Sequence, residues 1–439
     1  MAYVRSLAAY CRIRPAGLKG RRRAVARLRG AHQLRLYEGA GAYFKALIDD
    51  VDQSRYEVRL ETYIFAFDAT GEPVAQALVR AATRGVKVYL TMDGVGTPRM
   101  PLEWVERFNV SGVQWRIFLP LGRIGVLIPI RWRRLHRKLC VVDGSVAYCG
   151  GINVMDDFSD LNHGALEMPR LDFALRVTGP LVGDVLAVMS RFWWRRTPSN
   201  EARRKGLWAA WRDFLLNLRR VLPDSARGND AQIVISPPTI SHVDAGRRGA
   251  FADLVLRDNL LNRQKIERAY LRAIGIARHE VIIANAYFLP GARLRRALIH
   301  AARRGVRVRL LLQGRYEYFL QYHATRPMYG KLLEAGVEIY EYRASFMHAK
   351  VAVVDGRWAT VGSSNLDPLS LLLAREANVV VDDASFAEQL SERLESAISN
   401  GSVGVEAAVY AIRPWHVRVL EVGASMALRA GILLTGRRY

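Results

Sequence analysis

The chain has 439 residues, half of them hydrophobic, which is long for one core and too apolar for a disordered polymer, so two lobes are expected. Its 65 Lys and Arg against 41 Asp and Glu give a net charge of +24, a field that repels cationic ligands and suits nucleic acid, an anionic membrane surface or phosphorylated substrates. Three cysteines without a CxxC or an even framework argue against a disulfide scaffold and for a reducing compartment.

Residues 1–30 form a basic arm with no acidic residue and no apolar core of a secretory signal. YFKALIDDVDQSRYEVRLETYIF (43–65) then reads as a helix followed by a strand. QALVRAATRGVKVYL (76–90) is an amphipathic helix, a glycine near its C-terminal end and a β-branched strand. GVQWRIF (112–118) supplies a further strand. GRIGVLIPIRWRR (122–134) is an apolar tip followed by arginines, suited either to dipping into lipid or to a buried connection. LHRKLCVVDGSVAYCGGIN (135–153) sets Asp-Gly between two apolar runs, a hairpin signal. Asp172 follows in the β-rich run RLDFALRV, and residues 192–222 interleave Trp and Arg.

The same order then recurs. RAYLRAIGIARHEVIIANAYF (268–288), RALIHAARRGVRVRL (296–310), GVEIYEY (336–342) and MHAKVAVVDGRWATVGSSN (347–365) repeat the earlier units, and Glu376 follows in REANVVV. Unequal loops separate the copies, which marks a divergent duplication rather than a short-period solenoid. The expected fold is α/β: two similar lobes related by a pseudo-two-fold, each a mixed β-sheet flanked by helices, with the active site at their interface. The expected boundaries are a basic arm (1–30), a first lobe (31–200), a basic, Trp-rich connection (201–232), a second lobe (233–400) and an amphipathic C-terminal segment (401–439). Residues 409–439 suit a helix lying in a membrane interface, or one packed on the protein's own core. No apolar run approaches the roughly 18 residues a spanning helix needs.

The repeated string carries the chemistry. Both copies read HxK, four residues, Asp, six residues, then G-[GS]-x-N. They supply His136, Lys138, Asp143 and Asn153, and His348, Lys350, Asp355 and Asn365. On a strand, His and Lys two apart share a face. Two such halves make a pocket of two imidazoles, two ammonium groups and two amides, which suits a phosphodiester. One His can attack phosphorus and the other can protonate the leaving alcohol, then deprotonate the incoming one. Asp172 and Glu376 are candidates for orienting the imidazoles. Asp143 and Asp355 sit in the hairpin turns, where fixing the turn suits them better than proton transfer.

These residues resemble the HxKxxxxD motifs of the phospholipase D superfamily. HRKLCVVDG with its downstream GGIN, IANAYFLPG (283–291) and WATVGSSNLDPLSLLLAREANV (358–379) are similar to bacterial cardiolipin synthases, the B type especially. The resemblance implies transfer of a phosphatidyl group from one phosphatidylglycerol to another, with no metal or other cofactor. Phosphatidylethanolamine is a second candidate lipid. The resemblance makes His136, Lys138, Asp143, His348, Lys350 and Asp355 active-site residues. His136 is assigned as nucleophile and His348 as acid and base, roles that the pseudo-two-fold allows to be exchanged. It also implies an anionic membrane surface as partner, no nucleic acid, and a peripheral location on the cytoplasmic face of a bacterial inner membrane. A phospholipid-hydrolysing phosphodiesterase, a nuclease of the same superfamily and a non-enzymatic scaffold remain as alternatives.

Overall fold

The helix–glycine–strand units fold as their periodicity requires. Helix α1 (Ala40–Asp52) buries Tyr43, Phe44, Leu47 and Val51, and helix α2 (Gly71–Thr83) buries Val74, Ala75, Leu78 and Ala81. Each set is spaced to give one apolar stripe. Helix α2 ends where Gly85 adopts a φ of +88°, with Gly85 N–H donating to Ala82 and Val86 N–H to Ala81. Gly305 repeats that conformation and those bonds, to Ala302 and Ala301. A left-handed residue closes a helix at little expense only when it lacks a Cβ.

The computed structural model describes residues 29–122, 132–160, 163–194, 249–258, 262, 264–316, 319–367 and 374–434. The basic arm through residue 28, the apolar tip at 123–131 and most of the Trp-rich stretch (195–222) lie outside the described residues. The first half contains β1 (Arg29–Glu38), β2 (Glu57–Thr62), β3 (Lys87–Asp93), β4 (Gln114–Phe118), β5 (Arg134–Leu135), β6 (Lys138–Val142), β7 (Val146–Gly150) and β8 (Phe173–Thr178). Helix α3 (Leu102–Ser111) joins β3 to β4, and α4 (Leu181–Trp194) follows β8. The second half contains β9 (Ala250–Arg257), β10 (Glu280–Asn285), β11 (Arg307–Gln313), β12 (Glu338–Tyr342), β13 (Lys350–Val354), β14 (Trp358–Gly362), β15 (Ala374–Asp382) and β16 (Ser402–Gly404). Its helices are α5 (Lys265–Ile276), α6 (Ala292–Arg303), α7 (Phe319–Thr325), α8 (Tyr329–Leu333), α9 (Ala384–Gly401), α10 (Ala407–Ala411) and α11 (Trp415–Leu434).

The duplication extends to topology. The first half orders its strands β4-β3-β2-β6-β7-β8-β1, and the second orders them β12-β11-β10-β13-β14-β15-β9. In both, three parallel strands lead into antiparallel ones. The halves meet edge to edge where β1 pairs antiparallel with β9 through a register shift. They also pack face to face: Leu139, Val141, Cys149 and Phe173 share one core with Val351, Val353, Val361 and Val379. Separate cores lie beneath the outer helices of each half. Strands β1 and β9 precede the first repeated helix and extend the repeat beyond the units read from sequence. Among the described residues no helix is long and apolar enough to cross a membrane.

Candidate active site

Each repeated string is anchored on the opposite half. The short strand β5 runs parallel to β15, and His136 N–H donates to Arg375 O at 3.1 Å. In the mirror arrangement Leu171 bridges Met347, and His348 N–H donates to Leu171 O at 2.8 Å. The carboxylates follow one position later along those same segments. As a result the His–carboxylate pairs are crossed. His136 Nδ1 lies 3.1 Å from the Glu376 carboxylate, and His348 Nδ1 lies 2.6 Å from Asp172 Oδ2. The two imidazole centroids are 6.4 Å apart, their planes inclined by 64°. With each Nδ1 engaged, Nε2 is the nitrogen left for chemistry.

The lysines complete the pocket as the first residues of β6 and β13, two positions beyond histidines that themselves lie just outside the strands. Lys138 Nζ donates to His136 O at 2.9 Å, and Lys350 Nζ donates to His348 O. Both are buried. Burial and repulsion from Lys350 push the Lys138 ammonium down to about 7. Burial pushes Asp172 up to about 7 against the pull of Lys350. Burial, Lys350 and Lys138 hold His348 well below the ordinary histidine value. His136 is also lowered, by burial first, and Glu376 only partly restores it. Burial raises Glu376, but His136 and Lys138 outweigh it and keep this carboxyl below its ordinary value. The pocket therefore concentrates positive charge in a desolvated space, and an anionic ligand relieves that repulsion.

The two halves differ at the second position of the G-[GS]-x-N string, Gly151 against Ser363. Ser363 Oγ donates to Glu376 Oε2 at 2.5 Å. A Cβ at the corresponding Gly151 would stand 2.2 Å from Asp172 Oδ1, so the shorter carboxylate occupies the space a serine would need. Asn153 is buried and its Oδ1 accepts Ile64 N–H at 3.2 Å, which fixes the amide; Asn365 is buried at the equivalent place.

Asp143 and Asp355 stand apart from this group. Each lies five residues beyond its lysine on an extended strand, about 16 Å at roughly 3.3 Å per residue. Both adopt a φ of +49° in the hairpin turn. The Asp143 carboxylate accepts the N–H groups of Arg55, Tyr56 and Glu57 at 2.8, 2.8 and 2.9 Å. Asp355 accepts those of Arg278, His279 and Glu280 at 2.9, 2.8 and 2.9 Å. Each thus ties a turn to the start of a central strand. Asp143→Ala is expected to lower stability by roughly 2–4 kcal/mol, because charge-assisted bonds to three backbone donors are lost together. Urea unfolding reads that change, and turnover per folded molecule should stay near normal.

Asp93 and Gln313 were not singled out from sequence. Asp93 Oδ2 accepts Leu135 N–H at 2.7 Å, and Gln313 Oε1 accepts Met347 N–H at 3.2 Å. Each holds the residue immediately before a motif histidine. Their equivalent places at the ends of VYLTMD and VRLLLQ are the signal that could have found them. Tyr63 packs its ring 4.9 Å from that of His136 and is likewise an addition.

A family model described as "Cardiolipin synthase, PLD-like domain" matches residues 47–166 and 270–398, one match over each half. The chain is 35% identical over 418 residues to cardiolipin synthase B of Salmonella typhi, covering 93% of this chain and 90% of that one. The chain belongs to the PLD-like cardiolipin synthase family. Cardiolipin synthase B of Escherichia coli strain K12 is also 35% identical, over 417 residues, with 93% and 90% covered. Among solved structures, phosphatidylserine synthase of Haemophilus influenzae Rd KW20 aligns with a TM-score of 0.65 over 92% of this chain and 94% of that one. At 13% identity that likeness shows a shared fold. The paired family matches fall on the same two halves that the strand order repeats.

Proposed function

We propose that this protein is a cardiolipin synthase that moves a phosphatidyl group between phosphatidylglycerol molecules through a covalent histidine intermediate. The observation that carries the reading is the pair of facing imidazoles, 6.4 Å apart, each backed by a carboxylate of the opposite half and flanked by buried lysines. It stands in a chain of the cardiolipin synthase family. In the first step His136 Nε2 attacks the donor phosphorus. The bond to the glycerol oxygen breaks, and that oxygen takes the proton of His348. Lys138, Lys350, Asn153 and Asn365 stabilise the charge gathering on the non-bridging oxygens. In the second step neutral His348 accepts the proton of a phosphatidylglycerol hydroxyl. That oxygen attacks phosphorus and His136 leaves, giving cardiolipin. The overall reaction converts two phosphatidylglycerols to cardiolipin and glycerol.

The asymmetry between the carboxylates supports His136 as the nucleophile. Glu376 is held ionised with Ser363 donating to it, so His136 faces a full negative charge as it becomes cationic. Asp172 is pushed towards neutrality, which lets the Asp172–His348 pair retain a proton to deliver. The enzyme works at a membrane as a peripheral protein, on the cytoplasmic face of the inner membrane. Phosphatidylethanolamine is a second candidate lipid.

Purified protein incubated with phosphatidylglycerol should release cardiolipin and glycerol in equal amounts. Phosphatidic acid as sole product makes it a hydrolase, and cleavage of DNA or RNA without lipid turnover makes it a nuclease. A pH dependence follows from the pocket charges. Lys138 is protonated below about 7 in the empty site and loses its proton above it. Since kcat/KM reports the free enzyme, it should fall as pH rises through that value. In kcat the same limb should move to higher pH, because the bound diester keeps the lysine charged. A kcat/KM that stays level from roughly pH 6 to 9 contradicts the assignment.

A further inference from the structure

We propose that the outward face of α11 is the surface by which this protein docks on an anionic lipid bilayer; the lipid reading of the active site, on which this rests, does not say which face meets the membrane. Helix α11 has two unlike sides. On one, Glu421, Ala424 and Ser425 are buried. Ala424 joins Leu289, Ala324 and Met328 in a small core against α7, and both Glu421 oxygens lie 2.7 Å from Arg413. On the other, Trp415, Val419, Val422 and Met426 are 76, 63, 43 and 64% exposed. Steps of four, three and four residues at about 100° each place those four within an arc of about 60°. So the expected alternatives, membrane helix or core helix, apply to opposite faces of one helix.

Charge selects the occupant. Glu421 is the only acidic residue of α11, and Arg413 neutralises it on the protein side. The outward face therefore presents apolar side chains with Arg418 and His416 at its margins and no negative charge, on a chain of net charge +24. That combination is complementary to acyl chains beneath anionic headgroups, with Trp415 suited to the interface. Position agrees. Helix α11 packs on α7, which begins six residues after Gln313, the residue holding Met347 beside His348. Tyr316 and Phe319, 47 and 50% exposed, lie in the same stretch. Docking through this face sets the bilayer against the side of the second half that carries α7.

The test uses the full chain and flotation with vesicles of phosphatidylglycerol and phosphatidylcholine. Trp415→Ser/Val419→Ser/Val422→Ser should reduce vesicle binding about tenfold or more, and Trp415→Ser alone about threefold. Val110→Ser, at a still more exposed apolar site on α3, should bind as the unaltered protein does. All three should keep their activity on phosphatidylglycerol dispersed in detergent micelles, where no docking is needed. Unchanged vesicle binding by the triple variant overturns the proposal. So does loss of self-association with vesicle binding intact, which would assign the face to a second copy of the chain. A protein that binds vesicles through this face yet makes no cardiolipin sinks the functional reading and leaves this one standing.

Discussion

His136→Asn is expected to abolish reaction with every substrate, whereas His348→Asn is expected to block the first step only where the leaving oxygen needs a proton. The two rings face each other at 6.4 Å, but the proposed mechanism gives them different duties. Without the His136 nucleophile no covalent intermediate forms, however good the leaving group. Without His348 the first step lacks its general acid, a loss of roughly a hundredfold to ten-thousandfold for an alkoxide leaving group. A phosphatidyl ester of nitrophenol leaves without protonation, so His348→Asn should release nitrophenol in a burst and then stall. Initial rates with phosphatidylglycerol and with that ester separate the variants. A burst from His136→Asn and none from His348→Asn would reverse the roles, as the pseudo-two-fold permits. Near-normal turnover by either variant would end the two-histidine mechanism.

The crossed carboxylates give the second large effect. Glu376 lies against His136 and Asp172 against His348, so each histidine depends on a group from the other half. Glu376→Gln should act as a weakened His136 variant, and Asp172→Asn as a weakened His348 variant. Removing the charge behind a catalytic imidazole lowers turnover by up to about ten-thousandfold in well-ordered sites. The nitrophenyl ester should rescue the first step of Asp172→Asn and leave Glu376→Gln impaired. If each carboxylate served the histidine of its own half, the rescue pattern would be exchanged. The measurement therefore tests the crossing, not only the presence of the carboxylates.

Much of this was legible in the sequence because the duplication writes everything twice. Gly85 and Gly305, the two HxK strings and the two Asp-Gly hairpins occur in the same order, and the strand order repeats with them. Asp172 and Glu376 were readable as carboxylates in β-rich runs that follow each motif. Their partners were not: motif spacing says which residues recur, but not that β5 lies on β15 and Leu171 on Met347. That pairing arises from sheets packing face to face across a shared core, a long-range consequence of apolar faces with no local signature. The turn aspartates illustrate the complementary point. The family resemblance sets them among the active-site residues, whereas their place in the Asp-Gly turns points to fixing the turn, and their carboxylates are engaged by backbone N–H groups at the far end of the hairpin. Ser363 and Gly151 occupy the same place in the two strings, and each matches the length of the carboxylate beside it.

In the proposed mechanism one phosphorus passes through one histidine of a pocket built by both halves. Mass spectrometry of peptides from the His348→Asn variant, quenched in base after reaction with the nitrophenyl ester, tests it directly. A phosphatidyl adduct on His136, stoichiometric with the nitrophenol released, is the predicted result. Nitrophenol release with no adduct on either histidine, or with the adduct on another residue, would contradict it.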